Sequence, residues 1–143
     1  MASFWYNEGK RLLATTLNLA TADMRLALVM SNTTADTEND TIFFMSSFTT
    51  LDELNGANYS RQALTGEAVA TDLVNDRFEF DANNVTFTGV SAGTRNVVGA
   101  ILFLFVTNDA DSVPIAYFDL GTIIPGGGDI VVSWNAEGIL QGT

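Results

Sequence analysis

The chain has neither cysteine nor histidine among its 143 residues. Their absence excludes disulfide bonds, thiolate nucleophiles, imidazole acid–base chemistry and metal sites with thiolate or imidazole ligands. Paired carboxylates are the catalytic chemistry that remains, as in glycoside hydrolysis, with Glu67, Glu79 and Asp81 as candidates. Each of these acids also fits the solvent-facing side of a strand. We therefore expect a protein that is not an enzyme.

Basic residues are scarce: six Lys and Arg face 17 Asp and Glu, for a net charge of -11. Nucleic-acid binding needs clustered bases, so we expect no nucleic-acid partner. The acidic excess instead favours solubility or binding to a basic protein surface. Acidic stretches at 36–40, 81–84 and 108–111 offer oxygen ligands for calcium, but turn-forming side chains explain the same residues. We expect no metal and no cofactor.

The apolar run "VVGAILFLFV", Val97 to Val106, is half as long as the roughly 20 residues that a membrane-spanning helix needs. Its β-branched and aromatic residues, between the turn-like segments "SAGTRN" and "NDADS", predict a strand and no membrane partner. The first residues lack a basic segment before a long apolar stretch, so we expect no signal peptide and soluble production inside a cell.

Alternation of apolar and polar residues predicts most of the remaining structure. "MRLALVM" (24–30) places Met24, Leu26, Leu28 and Met30 on one face, and "RFEFDANNVTF" (77–87) predicts a β-hairpin that turns at "DANN". Further strands are predicted at 59–64, 67–73, 114–120 and 129–135, and short helices at 7–16 and near Thr50. The fold class expected is all-β, an antiparallel β-sandwich with one or two short helices, and a jelly roll is one topology left open.

The predicted domain organisation is an N-terminal arm at residues 1–12 and a single β-sandwich domain at 13–143. The polar stretch "SNTTADTENDT", residues 31–41, predicts an exposed, mobile loop.

The strand at Val97–Val106 is apolar on both faces, so both need cover. One possibility is cover from within the chain, by the segment 10–19 or by a long loop laid over the sheet. The other is cover by a neighbouring subunit, since obligate interfaces resemble a divided core. On the second interpretation the subunit-packing candidates are Leu102, Phe103, Leu104 and Phe105.

Three adjacent aromatics near the start of the chain, followed by two bases, predict an anchor on a partner protein. The candidates are Phe4, Trp5, Tyr6, Lys10 and Arg11. Adjacent side chains alternate along a strand, so all three rings cannot point inward, and aromatics are enriched in interfaces. The alternative is that a short N-terminal strand places two of the rings in the core.

Three segments carry a resemblance to a known class of proteins: "YNEGKRLLATTLNLATADMRLALVM", "LDELNGANYSRQAL" and "PIAYFDLGTIIPGGGDIVVSWNAEGIL". Together they resemble small structural proteins of tailed-bacteriophage virions. The tail of this pattern is Trp134, Asn135, Gly138, Ile139 and Leu140.

The resemblance implies a capsid decoration, or cement, protein that is made in the host cytoplasm and located on the outer surface of the virion. The partner implied is the major capsid protein, and the assembly implied is a homo-oligomer, most often a trimer. A neck, tail or fibre protein with a receptor- or glycan-binding β-sandwich is the alternative.

Overall fold

The structure, a computed structural model, describes residues 3–142 and is mostly β. The one α-helix within these residues is short, which confirms the predicted all-β class. The helix expected near Thr50 is replaced by irregular chain with one isolated β-bridge, between Glu53 and Val29. The elements are β1 (Phe4–Trp5), α1 (Asn7–Thr15), β2 (Met24–Met30), a 3-10 turn (Met45–Ser47), β3 (Gln62–Ala63), β4 (Ala68–Asp72), β5 (Arg77–Asp81), β6 (Val85–Phe87), β7 (Val97–Leu104), β8 (Val113–Ile123), β9 (Ile130–Val132) and β10 (Leu140–Gly142).

Within the described residues the strands form three antiparallel sheets. The largest has the order β1-β8-β7-β2-β3, and the two smaller sheets have the orders β10-β5-β4 and β6-β9. This arrangement confirms the predicted antiparallel sandwich-like fold. A jelly roll would instead have two sheets of four strands.

Strand β7 is the centre of the large sheet and contacts a different core on each face. It pairs with β2 on one side and β8 on the other, and Ile101, Leu102 and Phe103 are fully buried. Leu102 belongs to the larger core and Phe103 to the smaller one. A register shift between Val97 and Gly99 turns Val97 towards the larger core, although strict alternation predicts the other face.

The larger core lies between the main sheet and a second layer made by the two small sheets. Met24, Leu26, Leu28 and Met30 all face this core, as predicted. From the second layer come apolar side chains that include Phe80, Val85, Phe87, Ile130, Val132 and Leu140. One face of β7 is therefore covered from within the chain.

The smaller core covers the other face of β7, and residues 31–51 form most of that cover. Ala35, Ile42, Met45 and Phe48 are buried there. Glu38 holds this cover segment in shape, because its carboxylate accepts hydrogen bonds from Thr34 and Thr49. The prediction of an exposed loop at 31–41 was therefore wrong for part of the segment: Ala35 is fully buried, and several of its neighbours are half-buried.

The predicted hairpin at 77–87 was also wrong. Strand β5 pairs with β4 and β10, whereas β6 pairs with β9 in another sheet. The linking segment crosses between the two small sheets, and the Asn83 backbone N–H donates to the Thr65 carbonyl. Alternation identified both strands correctly, but it carries no information about which strands pair.

Residues 4–15 pack directly on the main sheet. Strand β1 pairs with β8, and Gly9 of α1 lies so close to β8 that a Cβ atom there would be 2.8 Å from the Cα of Ile115. The boundary predicted after residue 12 thus falls inside α1. The residues of the predicted arm that the structure describes pack on the main sheet as part of the sandwich. Residues 1, 2 and 143 of the predicted arm and domain lie outside the described residues.

Candidate docking groove beside helix α1

Strand β1 separates the three N-terminal aromatics onto two faces of the main sheet. Phe4 stacks on Tyr117 with a centroid separation of 5.6 Å, and Tyr6 packs edge-to-face on Phe48 at 5.5 Å. Trp5 points to the opposite face, where its ring meets Phe78 at 6.4 Å. Successive side chains along an extended chain point to opposite faces. Phe4 and Tyr6 therefore share one face of the sheet, and Trp5 lies on the other.

Tyr6 is fully buried, so its predicted role as a surface anchor was wrong. Its hydroxyl donates a 2.6 Å hydrogen bond to the carbonyl of Ala35 in the cover segment. Burial, reinforced by the negative charges of nearby acids, raises the pKa of Tyr6 far above its ordinary value. The Tyr6 side chain thus fastens the cover segment to the main sheet.

Trp5 and Lys10 meet at an apolar groove of about 450 Å³ between α1 and the small sheet β10-β5-β4. We call this the Trp5 groove, and it is lined by Trp5, Lys10, Leu13, Ala14, Phe78, Gln141 and Gly142. A second hollow shares Leu13 and Phe78 with it and continues past Leu17 and Leu19 to Val69 on β4. The Trp5 groove therefore leads towards the outer edge of the small sheet.

The charge at the groove comes from Lys10. Every arginine in the chain pairs with a carboxylate: Arg11 with Glu8, Arg25 with Asp23, Arg61 with Glu53 and Asp109, Arg77 with Asp72, Glu79 and Glu137, and Arg95 with Asp52. Within residues 3–142, Lys10 has no such ion pair and is exposed. The groove thus combines apolar walls with one uncompensated positive charge.

Arg11 does not join this groove. Its guanidinium binds Glu8 one helical turn earlier, and this bond lowers the pKa of the Glu8 carboxyl and raises that of Arg11. Of the five predicted anchor residues, the structure brings together Trp5 and Lys10. Phe4 is half-buried against the smaller core.

The predicted subunit-packing residues are covered within the chain. Leu102 and Phe103 are fully buried, so they offer no surface to another subunit. Leu104 is half-buried, and Phe105 lies beneath the guanidinium of Arg25, 3.6 Å from the ring centroid. Of the two interpretations of β7, the structure agrees with cover from within the chain. The cover by a loop comes from residues 31–51, and segment 10–19 packs on the larger core.

Two half-buried polar groups were not singled out by sequence reasoning. Arg61 binds Glu53 and Asp109 together, and the Tyr59 hydroxyl donates to Glu53 at 2.8 Å. The hydrogen bonds that the Arg61 guanidinium donates to the carboxylates of Glu53 and Asp109 raise the pKa of Arg61 well above its usual value. This cluster ties the short segment 53–61 to Asp109, which lies 48 residues after Arg61, and no spacing rule relates the two.

Acids of the three acidic stretches accept hydrogen bonds from within the chain: Glu38 accepts from Thr49, and Asp81 accepts from the backbone N–H of Ala82. Asp111 accepts hydrogen bonds from the backbone N–H groups of Thr107 and Asn108, which lower its pKa, and Glu79 is bound by Arg77. Between residues 3 and 142, no three acidic side chains are grouped so that they could hold a metal ion. No helix in the same range is long and apolar enough to cross a membrane.

Comparisons with known protein families, with curated proteins and with solved structures each found no match.

Proposed function

We propose that this chain is a structural protein of a tailed-bacteriophage virion that decorates the outer capsid surface and binds the major capsid protein. The Trp5 groove is the observation that carries the proposal, because it combines an aromatic ring, apolar walls and Lys10. Among the lysine and arginine side chains of the described residues 3–142, Lys10 is the one without an ion pair. Aromatic side chains in partly enclosed sites supply much of the energy of protein interfaces.

The chemistry of the groove specifies the partner segment that fits it. An apolar side chain would lie against Trp5 and Phe78, and a carboxylate beside it would pair with Lys10. A subunit that binds the assembled shell and not its separated parts stabilises the shell, by about 4 kcal/mol per site at a thousandfold excess over the dissociation constant. Modest contacts of this kind add up when repeated over a capsid lattice.

The test is binding to capsids of the encoding phage made without this protein. Trp5→Ala and Lys10→Glu are each expected to weaken co-sedimentation with these capsids at least about tenfold. Ile124→Ala is the matched control, since Ile124 is an exposed apolar residue (74%) that does not line the groove. Deleting residues 1–9 would be a poorer test, because it removes Tyr6 from the core.

Two results would count against the proposal. Wild-type occupancy of capsids by both groove variants, each shown to be folded, would rule out the groove as the docking site. Absence of the labelled protein from purified virions in electron microscopy would rule out the virion role. Label on the tail or neck would instead assign the protein to that part of the virion.

A second candidate is glycan binding by a neck, tail or fibre protein, and a separate cleft favours it. Phe118 and Trp134 meet edge-to-face at 5.3 Å beside a cleft of about 370 Å³ that also contains Asp119, Ser133 and Asn135. Aromatic surface next to oxygen-bearing side chains suits a sugar, which has apolar C–H faces and hydroxyl groups.

A glycan array tests this second candidate. Binding that disappears in Asn135→Ala, and remains in Trp5→Ala, would support a glycan-binding role over the decoration role. An array without any bound glycan would count against it.

A further inference from the structure

Strand β4 is the most open edge among the outermost strands that the structure describes. It spans five residues and pairs with β5 alone. The other outermost strands of the two larger sheets span two residues (β1 and β3) or three (β10). Unpaired backbone N–H and C=O groups on a longer edge form a template for another strand.

The first four side chains of β4 do not protect this edge. Ala68, Val69, Ala70 and Thr71 are all exposed, and none is charged or a proline. Natural sheets usually block an open edge with lysine, proline or a bulge, and β4 has none of these. Val69, on the groove-facing side, retains 48% of its surface exposed at the end of the apolar hollow.

The turn after β4 adds two more apolar side chains. Leu73 and Val74 are 86% and 92% exposed at the tip of the β4–β5 hairpin. The Asp72 carboxylate orders this tip by accepting hydrogen bonds from the backbone N–H groups of Val74 and Asn75 and from the Asn75 side chain. The exposed apolar pair is therefore held in a defined position by the turn.

The strand is complementary to itself. In an antiparallel pair centred on Ala70, Ala70 of one copy faces Ala70 of the other, Val69 faces Thr71, and Ala68 faces Asp72. No like charges face each other, which matters for a chain with a net charge of -11. In such a pair, Val69 and Thr71 of the second copy would lie on the side of the sheet that faces the Trp5 groove. There they would cover the hollow beside Leu17 and Leu19.

We propose that β4 pairs with β4 of a second copy of this chain, joining two small sheets into one six-stranded sheet. The interface is isologous and two-fold, so it produces a dimer. Salt screens the repulsion between the acidic copies, so the dimer tightens as ionic strength rises. This inference concerns the isolated protein and does not depend on the proposed capsid role.

Single-cysteine variants test the pairing directly, because the natural chain has no cysteine. Paired residues in an antiparallel sheet have Cα atoms about 4.5–5.5 Å apart, within the range for a disulfide. Ala70→Cys is therefore expected to form a covalent dimer with oxidised glutathione. Ala68→Cys is the control, because the two copies of residue 68 would be about 13 Å apart along the strands.

Lysine variants test the same register without a covalent bond. Ala70→Lys places two lysines opposite each other and is expected to weaken the dimer at least about tenfold in sedimentation experiments. Ala68→Lys faces Asp72 and is expected to retain the dimer. Within the monomer, residue 70 pairs with Glu79 of β5 and residue 68 pairs with Asp81. Each new lysine therefore faces an acid of β5, and the two variants should affect the monomer alike.

Three outcomes would overturn the inference. One is a wild-type protein that stays monomeric at about 100 µM in high salt, where even a weak dimer would be populated. Another is equal cross-linking of the two cysteine variants. The third is a trimer, as the resemblance implies, that survives Ala70→Lys, because a three-fold assembly needs a different interface.

Discussion

Strands β7 and β4 are both apolar segments, but they occupy opposite environments. Residues of β7 pair on both sides and are covered on both faces, whereas β4 pairs on one side and its first four residues are exposed. Six of the eight residues of β7 are buried, whereas none of the five residues of β4 is. The difference indicates that apolar character alone does not identify an interface: the more apolar strand is a core element, and the less apolar one is available to a partner.

The largest effect that would test this comparison is expected for Phe103→Ala. Phe103 is fully buried in the smaller core, so its truncation is expected to lower the free energy of unfolding by about 3–5 kcal/mol, through lost burial and a cavity. Urea unfolding of dilute protein measures the change. Phe43→Ala, at a position that is 55% exposed, is the control and should cost much less. A small loss for Phe103→Ala would contradict the placement of β7.

A second effect is expected at Gly99, the glycine within β7. A Cβ atom there would collide with the ring of Tyr117, which occupies the space beside the glycine. Gly99→Ala is therefore expected to cost about 1–3 kcal/mol by overpacking. Gly126→Ala serves as the control because its added methyl group would meet no atom within 4 Å. Equal stability of the two variants would indicate that Tyr117 moves freely.

Asp52 connects the cover segment to the rest of the sandwich and makes stability depend on pH. Hydrogen bonds from Arg95 and from the Asn32 backbone N–H lower the pKa of its carboxyl. A carboxyl with a lowered folded-state pKa stabilises the fold above its unfolded pKa of about 3.9, and that contribution is lost as pH falls through the folded value.

Asp52→Asn is therefore expected to cost about 1–3 kcal/mol at neutral pH and progressively less as the solution is acidified. Unfolding titrations between neutral pH and pH about 3 measure this difference. Asp76→Asn is the matched control, since both aspartates have positive φ angles, 49° and 54°, and asparagine tolerates that conformation. A cost for Asp52→Asn that does not change with pH would exclude the charge as its cause.

The smallest effect is expected for Val74→Ser at the hairpin tip. Because Val74 is 92% exposed, the unfolding free energy of the dilute monomer should change by no more than about 0.5 kcal/mol. Thermal unfolding at low protein concentration provides the measurement. A substantial loss would place Val74 in a contact within the monomer and weaken the contrast between β4 and β7.

The sequence alone was sufficient for the class of fold and for most strand positions. Period-two alternation identified β2, β5 and β6, and the residues bounding "VVGAILFLFV" predicted a strand there. These features are local, because a strand's alternation and its turn residues lie within a few positions of each other. The helix at 7–16 was predicted for the same reason.

Only the tertiary structure decided which strands pair and which surfaces remain free. The pairing of β6 with β9, the burial of Tyr6 beneath Ala35, and the meeting of Trp5 with Phe78 join residues that are far apart in the chain. Such contacts depend on the summed packing of the whole domain, which no short window contains. For the same reason, the segment 31–51 could be recognised as the cover of β7 only once the chain was folded.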